Sequence, residues 1–394
     1  MASTPEPAPA DVERGARHAT ASLREVTTRL ARRDLAGRDN DTPGSALAQD
    51  YLIRRLAKIG PGLMPGIGMD AYRQPFVESG RAGVNLLAVI PGREPGREYV
   101  VVGAHYDGLG SRGGPDGRCA FSSPPDGEIC AGATDNAAGV AAVLAIGNAI
   151  RRLPVEPRRS VVLALWDAEE DGLLGSLAYV RSPAVPLEDT VAYVNVDILG
   201  ANLLPALRGS SFALAAETGG ERLRAAVDGA VAAEGLATRQ MSYAFGLMRS
   251  DYATFVGASV PTVFLTDATG GCYHTVGDTV EVVDFRKLRA QSRIGYRLVV
   301  ALAETDGRPE FVPPSAQAAT YDDVVALAET LQAALADLAL FPPAEREVLR
   351  GVEARVARLV TEGPAELDAA DAGFALGAAA DTLGALGRLG CRRF

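Results

Sequence analysis

Two of the chain's three histidines and most of its clustered carboxylates stand at the ends of apolar runs. The histidines are His18, His105 and His274, so any chemistry that needs an imidazole must use one of them. The polar residues that adjoin apolar runs are His105, Asp107, Asp135, Asp167, Glu169, Glu170, Asp171, Asp197, Tyr273 and His274. Imidazole and carboxylate groups are usual ligands of zinc and similar divalent ions. These residue types therefore predict a metal site, provided that the fold brings them together.

Each of these residues also has an ordinary structural interpretation. Asp135 stands just before a helical pattern, where an aspartate commonly caps backbone N–H groups. The acids at 169–171 resemble a solvated turn. Asp197, however, ends an apolar strand, and a buried carboxylate needs a partner. Because several ligand types converge on one side of the predicted sheet, a metal site is favoured.

The number of candidate ligands indicates more than one ion. Five ligands exceed what a single tetrahedral zinc with an open position can use. They suit two ions about 3.5–4 Å apart that share a bridging carboxylate and a bridging water. The adjacent pair Glu169-Glu170 would then supply one ligand and one general base that takes a proton from the water.

The elements that must position these residues alternate along the chain. Near-continuous apolar runs predict buried strands at 83–90, 99–105, 160–166, 191–196 and 260–266. Helical patterns lie at 12–33, 44–59, 136–152, 172–181, 219–234 and 284–305. This alternation predicts an α/β fold with a mixed, mostly parallel sheet sandwiched by helices, and antiparallel edge strands near 70–90. Ligands in such sheets gather beyond the carboxyl ends of the strands.

The composition changes after Pro313-Pro314. We expect a catalytic domain over 1–312, with a flexible lead-in at 1–10, and a C-terminal helical region over 313–394. Three helical patterns, at 318–340, 343–361 and 364–388, predict this appendage, whose role the sequence does not indicate.

Overall composition excludes several classes of protein. The 394 residues are 47% hydrophobic and 22% charged, which is typical of a globular chain. A net charge of −10 without a basic run argues against nucleic acid and anionic membranes as partners. We find no apolar run of the roughly 18 residues that a membrane span needs. The N-terminus shows no secretory signal pattern, which makes a cytoplasmic location the default and a secreted or periplasmic mature form the alternative.

Four cysteines, at 119, 130, 272 and 391, allow three pairings and form no CxxC pattern. Cys119 and Cys130 flank a stretch rich in Gly, Pro and Ser. They either join the ends of a loop or remain two free thiols.

The ordered motifs GAHYD, GATDNAAGV, WDAEEDGLLGS, NVD and CYHTVGDT resemble those of the co-catalytic di-zinc aminopeptidases. That family includes bacterial leucyl-type aminopeptidases, aminopeptidase Y and the glutamate carboxypeptidases. The resemblance covers roughly residues 40–306. Related deacylases carry a D-x-K-G element and an inserted dimerisation domain, and neither is visible in this sequence.

The resemblance implies two zinc ions per chain and a ligand set. His105 and Asp197 would bind the first ion, and Glu170 and His274 would bind the second. Asp135 would bridge the two.

The resemblance also implies roles for four residues that are not ligands. Glu169 would be the general base. Asp107 would orient the imidazole of His105. Tyr273 would either stabilise the oxyanion or pack under its loop, and Asp278 would either support a ligand or cap a turn.

The sequence departs from the family pattern in two places. A long insert separates His105 from Asp135 and is either a lid over the cleft or a surface loop. Ser250-Asp251-Tyr252 stands where the family usually has Ser-Asp-His, which changes a wall near the substrate.

We therefore expect a metal-dependent exopeptidase, an aminopeptidase that acts on peptides with a free N-terminus. The alternatives are a carboxypeptidase, a relative of the glutaminyl cyclases, or a non-catalytic binding scaffold. The cyclases use one metal, whereas all five ligand positions are filled here. The oligomeric state is not indicated.

Overall fold

Eight strands form one sheet in the computed structural model, which describes residues 6–94, 96–111, 128–315 and 319–394. The strands are β1 (Arg73–Glu78), β2 (Arg81–Ile90), β3 (Tyr99–His105), β4 (Ser160–Trp166), β5 (Thr190–Val196), β6 (Ser210–Leu214), β7 (Ala237–Met241) and β8 (Thr262–Thr266). Their order in the sheet is β1-β2-β4-β3-β5-β8-β6-β7. The central strands β4, β3, β5 and β8 run parallel to one another, while β2 pairs antiparallel with β1 and β4. The predicted mixed, mostly parallel sheet with an antiparallel edge is confirmed.

Helices pack around this sheet and continue beyond it. Those of the sheet-containing part are α1 (Pro9–His18), α2 (Leu23–Leu30), α3 (Pro43–Leu56), α4 (Ala138–Ile150), α5 (Leu174–Arg181), α6 (Gly220–Ala232), α7 (Tyr252–Gly257) and α8 (Phe285–Glu304). The C-terminal helices are α9 (Tyr321–Ala334), α10 (Pro343–Glu362) and α11 (Ala369–Arg388). The predicted helical appendage is therefore present, and an apolar cluster that includes Phe212 and Phe264 packs against it.

The strands at the centre of the sheet are apolar because both of their faces are covered. Every residue of β4 and β5 is buried, and only Tyr99 of β3 is partly exposed. Helix α4 is almost wholly buried as well, between the sheet and the outer helices α1, α2 and α8. A strand buried on both faces needs a partner for each polar side chain that it carries, and the candidate ligands follow the ends of these strands.

The segment Ala133–Ile150 is the one helical stretch of the described residues that is long and apolar enough to cross a membrane. Its window is 94% buried inside the fold, as in the core helix of a globular protein. Burial of this kind makes the stretch weak evidence for a membrane span.

Two local features differ from the sequence-based prediction. The single helix predicted over 12–33 is two helices, because Ser22 adopts a left-handed conformation with φ of 64° between them. Strands β6 and β7 and the short helix α7 were not predicted. Most of the insert that is either a lid or a surface loop, and Cys119 of the possible Cys119–Cys130 pairing, fall on residues 112–127, outside the described part of the chain.

Candidate metal centre

His105 is the last residue of β3 and is almost completely buried. Its Nε2 lies 3.1 Å from Oδ1 of Asp135 and 3.3 Å from Oδ1 of Asp197. Burial alone would lower the pKa of His105, but the charges of Glu169 and Asp197 and hydrogen bonds to carboxylates outweigh it and raise that pKa well above its ordinary value. A cation would replace the proton that these carboxylates hold on the imidazole.

His274 lies in the loop after β8 and faces the same aspartate from the other side. Its Nε2 is 3.2 Å from Oδ2 of Asp135 and 3.1 Å from Oε2 of Glu170. Burial opposes a charge on this ring, yet the hydrogen bonds to Asp135 and Glu170 raise the pKa of His274 to about 10. His274 has a φ of 56°, a backbone conformation that is uncommon for residues other than glycine.

Asp135 stands between the two histidines and gives one carboxylate oxygen to each. It precedes helix α4, and its peptide bond to Asn136 is cis. Burial would raise the pKa of Asp135, but the two histidines overcome this and lower the pKa below its usual range. In the first turn of α4 it is the amide oxygen of Asn136, and not Asp135, that accepts a hydrogen bond from a backbone N–H, that of Gly139 at 3.1 Å.

The two glutamates follow β4. Burial, and then the charge of Asp135, raises the pKa of Glu170 to about 7. Burial also raises the pKa of Glu169 well above its usual value, although the charge of His105 opposes this. His105, Glu169 and Glu170 form one of three groups whose ligand atoms lie within 4.8 Å of one another. The other two groups are His105 with Asp135 and Asp197, and Asp135 with Glu170 and His274.

A chain of buried polar side chains holds Asp197 at the end of β5. Its Oδ2 accepts a hydrogen bond from the hydroxyl of Ser250 at 2.8 Å, and Asn195 donates to that same hydroxyl oxygen. Asn195 in turn accepts from Tyr193, whose oxygen accepts from Trp166. Burial raises the pKa of Asp197. Sequence reasoning noticed Ser250 only as part of a departing motif and missed its contact with a ligand.

Asp107 connects His105 to the glutamate loop. One of its carboxylate oxygens lies 3.5 Å from Nδ1 of His105. The two oxygens accept hydrogen bonds from the backbone N–H groups of Glu169 and Glu170 at 3.1 and 3.2 Å. Asp107 lies beside the imidazole, but Nδ1 of His105 has no hydrogen-bond partner among the described residues, so the orienting role of Asp107 stays a prediction.

Asp278 holds the loop that carries Asp135. Its carboxylate accepts hydrogen bonds from the backbone N–H groups of Thr134 and Asp135 and from the hydroxyl of Thr134. Burial raises the pKa of Asp278 to about 6 against the effect of these bonds. Of the two roles left open for Asp278, the contacts favour support of a ligand.

Tyr273 packs against a candidate ligand. Its ring stacks on that of His274 with 3.7 Å between centroids. Burial and the nearby carboxylates raise the pKa of Tyr273, so the phenol keeps its proton and can donate a hydrogen bond. The remaining histidine, His18, is exposed at the end of α1, far in sequence from every motif.

Arg38 is a buried residue beneath the site that sequence reasoning missed. Its guanidinium donates to the backbone carbonyls of Leu30, Tyr106, Ala131 and Gly132 at 2.7 to 3.0 Å. Burial lowers the pKa of Arg38, while the carboxylates of the site raise it. Nothing in the sequence separates this arginine from the many that lie at the surface.

The fold and this centre place the chain in the class of zinc metallopeptidases. Residues 85–299, more than half of the chain, match the model of peptidase family M28. The chain therefore belongs to peptidase family M28, as the motifs predicted. The matched segment contains all five candidate ligands and ends before the C-terminal helices.

Two relatives are similar to this chain in sequence. Leupeptin-inactivating enzyme 1 of Streptomyces exfoliatus is 32% identical over 140 residues, which are 35% of this chain and 28% of that protein. Aminopeptidase NAALADL1 of Mus musculus is 31% identical over 151 residues, which are 36% of this chain and 18% of that protein. The match thus spans less than a third of either relative.

Two solved structures share the fold. The LapA aminopeptidase of Legionella pneumophila aligns with a TM-score of 0.58 at 16% identity, covering 76% of this chain and 75% of that chain. The glutaminyl cyclase of Porphyromonas gingivalis aligns with a TM-score of 0.57 at 18% identity, covering 71% and 97%. At these identities the likeness shows the fold alone.

Proposed function

We propose that the chain is an aminopeptidase that removes N-terminal residues from peptides with the help of two zinc ions. One observation carries the proposal. The carboxylate of Asp135 presents one oxygen to His105 and the other to His274, and each histidine contacts one further carboxylate, Asp197 or Glu170. A carboxylate shared in this way is what a pair of neighbouring divalent ions requires.

The donor set fits zinc. Two imidazoles and three carboxylates offer the nitrogen and oxygen ligands that zinc takes; His105, Asp135 and Asp197 are buried, and Glu170 and His274 are partly buried. We assign His105 and Asp197 to one ion, Glu170 and His274 to the other, and Asp135 to both. When bound, such ions polarise a carbonyl group and make water more acidic.

Glu169 is the proton carrier in this proposal. It is buried beside Glu170 and His105. Unlike Glu170, it is not assigned as a zinc ligand. Burial raises the pKa of the Glu169 carboxyl, and a higher pKa makes its ionised form a stronger base. Glu169 therefore accepts a proton from the attacking water and returns it to the leaving amine.

Tyr273 orients the substrate in this proposal. The protonated phenol of Tyr273, stacked on His274, can donate to the oxygen of the scissile carbonyl as negative charge develops there. Four carboxylates, those of Asp135, Glu169, Glu170 and Asp197, surround only two histidines. Two bound zinc ions would offset these four charges, so the choice of a free N-terminus is supported by the similarity to aminopeptidase NAALADL1 and not by an excess of negative charge.

The test compares a leucyl anilide that has a free amine with its N-acetylated form, each with and without a chelator. We expect cleavage of the free-amine substrate only, and loss of that cleavage after chelation. Equal cleavage of both substrates would exclude an aminopeptidase. Because an anilide has no free C-terminal carboxylate, the carboxypeptidase alternative is tested separately with an N-acetylated peptide that has a free C-terminus. Conversion of N-terminal glutamine to a cyclic product without peptide cleavage would favour a cyclase, the activity named for the Porphyromonas relative.

We also propose that the protein works in an oxidising compartment. Cys272 and Cys391 form a disulfide between residues 119 positions apart. Disulfides persist in secreted and periplasmic proteins and are rare in the cytosol. This pairing supports the exported form over the cytoplasmic one, and thiol titration of the protein purified from its native cells tests it.

A further inference from the structure

A cavity of about 750 Å³ lies between the metal centre and the C-terminal helices. One side is the loop 269–277, which carries Tyr273 and His274, together with the turn at 247–249. The other side is helix α11 and the residues after it, including Leu383, Gly384 and Gly387. Cavities of 300–1,000 Å³ are typical of small-ligand sites, so this one has room for one or two peptide residues.

The wall that α11 provides is fixed to the metal-ligand loop. The Cys272–Cys391 disulfide joins the segment after α11 to the residue before Tyr273. Gly271 adds a close backbone contact, because a Cβ atom at that position would lie 2.3 Å from the carbonyl oxygen of Gly390. The segment 300–394, which lies outside the family match, therefore reaches the neighbourhood of a candidate zinc ligand.

Tyr273 connects the cavity to the site of chemistry. Its ring lines the cavity and also stacks on His274. A peptide whose carbonyl oxygen approaches Tyr273 must therefore place a neighbouring residue against the α11 wall. The lining contributed by Leu383, the glycines of α11 and Val276 leaves space for that residue instead of filling it.

The charged side chains that line the cavity are positive. Among the described residues that line it, the charged side chains are Arg249 and Arg388, and none is acidic. Arg388 contacts Glu345 at 3.2 Å, with 59% of its side chain still exposed. Arg249 is exposed and makes no ion pair with any residue in the described part of the chain. Arg249 and Arg388 thus give this cavity a positive charge in a chain whose net charge is −10.

We propose that the α11 wall, Arg249 and Arg388 form a specificity pocket that selects peptides with a carboxylate next to the scissile bond. This inference rests on the proposed function, since it places the substrate by its carbonyl at Tyr273. The guanidinium groups donate charge-assisted hydrogen bonds to the carboxylate, while the metal centre holds the amine. The carboxylate belongs either to an acidic side chain or to the free C-terminus of a short peptide.

Matched peptides test the pocket and separate the two sources of the carboxylate. The first pair is Leu-Glu-Leu and Leu-Gln-Leu, both with amidated C-termini, which differ only in the charge of the middle side chain. The second pair is Leu-Gln as the free acid and as the amide, which differ only in the charge of the C-terminus. We expect a lower KM for the acidic member of at least one pair in the wild-type protein. In the variant with both Arg249→Gln and Arg388→Gln, that preference falls about fivefold to tenfold with kcat nearly unchanged.

Two further variants control the result. Arg358→Gln removes an exposed arginine of the same appendage that does not line the cavity, and it should leave the preference unchanged. Leu383→Trp should raise KM for peptides with a large residue in the pocket more than for Leu-Gly-amide. The proposal is overturned if neither acidic peptide is preferred, or if the double variant retains the preference.

A binding measurement distinguishes this proposal from the proposed function. Calorimetry of the same peptides with the zinc-loaded Glu169→Gln variant reports affinity without turnover. A preference for the carboxylate that depends on the two arginines supports the pocket even if the wild-type protein hydrolyses none of the peptides. Hydrolysis without such a preference supports the aminopeptidase and rejects the pocket.

Discussion

Asp107 accepts hydrogen bonds from the backbone of both Glu169 and Glu170 while it faces Nδ1 of His105. One side chain thus holds the loop that carries the proposed base and lies beside the imidazole. Asp107 follows His105 by two residues at the end of β3, and the glutamates follow β4. Because β3 and β4 pair in parallel, the imidazole, the Asp107 carboxylate and the glutamate loop lie side by side. The catalytic arrangement at the residue scale therefore depends on strand register.

Glu169→Gln tests the proton-carrier role directly. The amide keeps the shape of the side chain but cannot accept a proton, so we expect hydrolysis to fall by about 10²–10⁴-fold. Metal content should be unchanged, because Glu169 is not assigned as a ligand. Glu188→Gln, at an exposed position, serves as the matched control. Undiminished turnover in Glu169→Gln, with metal retained, would reject Glu169 as the base.

The candidate ligands could be recognised in the sequence because each is a metal-binding residue type next to an apolar run. Their supports could not be predicted in the same way. Ser250 contacts Asp197 across 53 positions, and Arg38 reaches Ala131 across 93. Such contacts depend on tertiary packing, and a single serine or arginine carries no pattern that distinguishes it from a surface residue.

At the scale of elements, Arg38 joins the end of α2 to two ligand-bearing loops. It donates to the carbonyl of Leu30, to that of Tyr106 next to His105, and to those of the segment before Asp135. Arg38→Gln leaves several buried carbonyls without a donor, and we expect it to lower the free energy of unfolding by about 3 kcal/mol. Denaturant titration measures this loss.

Arg33→Gln is the matched control, because Arg33 is an exposed arginine in the same segment. This variant should change the free energy of unfolding by less than about 0.5 kcal/mol. Zinc titration of the Arg38 variant gives a second readout, and we expect weaker binding because both ligand loops loosen. Equal stability of the two variants would contradict the linking role of Arg38.

The elements that the sequence did not reveal are short or lack a clear period. Strand β6 has only five residues, and β7 reads Ala-Thr-Arg-Gln-Met at the edge of the sheet, with one fully buried residue. Neither gives the long apolar run that identified β3 and β4. Strand β6 pairs with β8 on one side and with β7 on the other. This pairing, not local preference, makes the two segments strands.

The helix pair α6 and α8 is joined by an ion-pair cluster that predicts a dependence of stability on pH. Glu234, just after α6, accepts hydrogen bonds from Arg293 and Arg297 of α8, and Arg297 also binds Glu13 of α1. Burial opposes the charge on Glu234, but the two arginines lower its pKa below the ordinary value. A carboxyl of this kind stabilises the fold above its unfolded pKa, near 4.3, and loses that effect as the pH falls through the folded pKa.

We therefore expect Glu234→Gln to lower the free energy of unfolding by about 1 kcal/mol at pH 7 and by less at pH 3. Thermal melts at the two pH values measure the difference. Glu347→Gln, at an exposed position on α10, serves as the control and should change the free energy of unfolding by less than about 0.5 kcal/mol. A loss at pH 3 as large as that at pH 7 would show that the charge of Glu234 does not stabilise these helices.

For the whole molecule, the metal centre gathers contacts from three regions of the chain. Arg38 lies before the family-matched segment, the five candidate ligands lie within it, and Cys391 lies after it. The centre also concentrates buried negative charge, and the pKa of Asp197, like those of Glu169 and Glu170, is raised by burial. Bound cations would offset this charge, so metal loading should affect the stability of the entire fold.

Metal removal tests that coupling. We expect the zinc-loaded protein to contain close to two ions per chain and to lose about 5 °C in Tm after chelation, because a ligand that binds only the folded state stabilises it by mass action. Zinc added back should restore both the Tm and the hydrolysis of the free-amine anilide. An Asp135→Asn variant provides the matched comparison, since loss of the shared carboxylate should reduce the content to about one ion or fewer. Fewer than one ion in the wild-type protein from zinc-replete cells, or a Tm that chelation leaves unchanged, would contradict the two-ion centre.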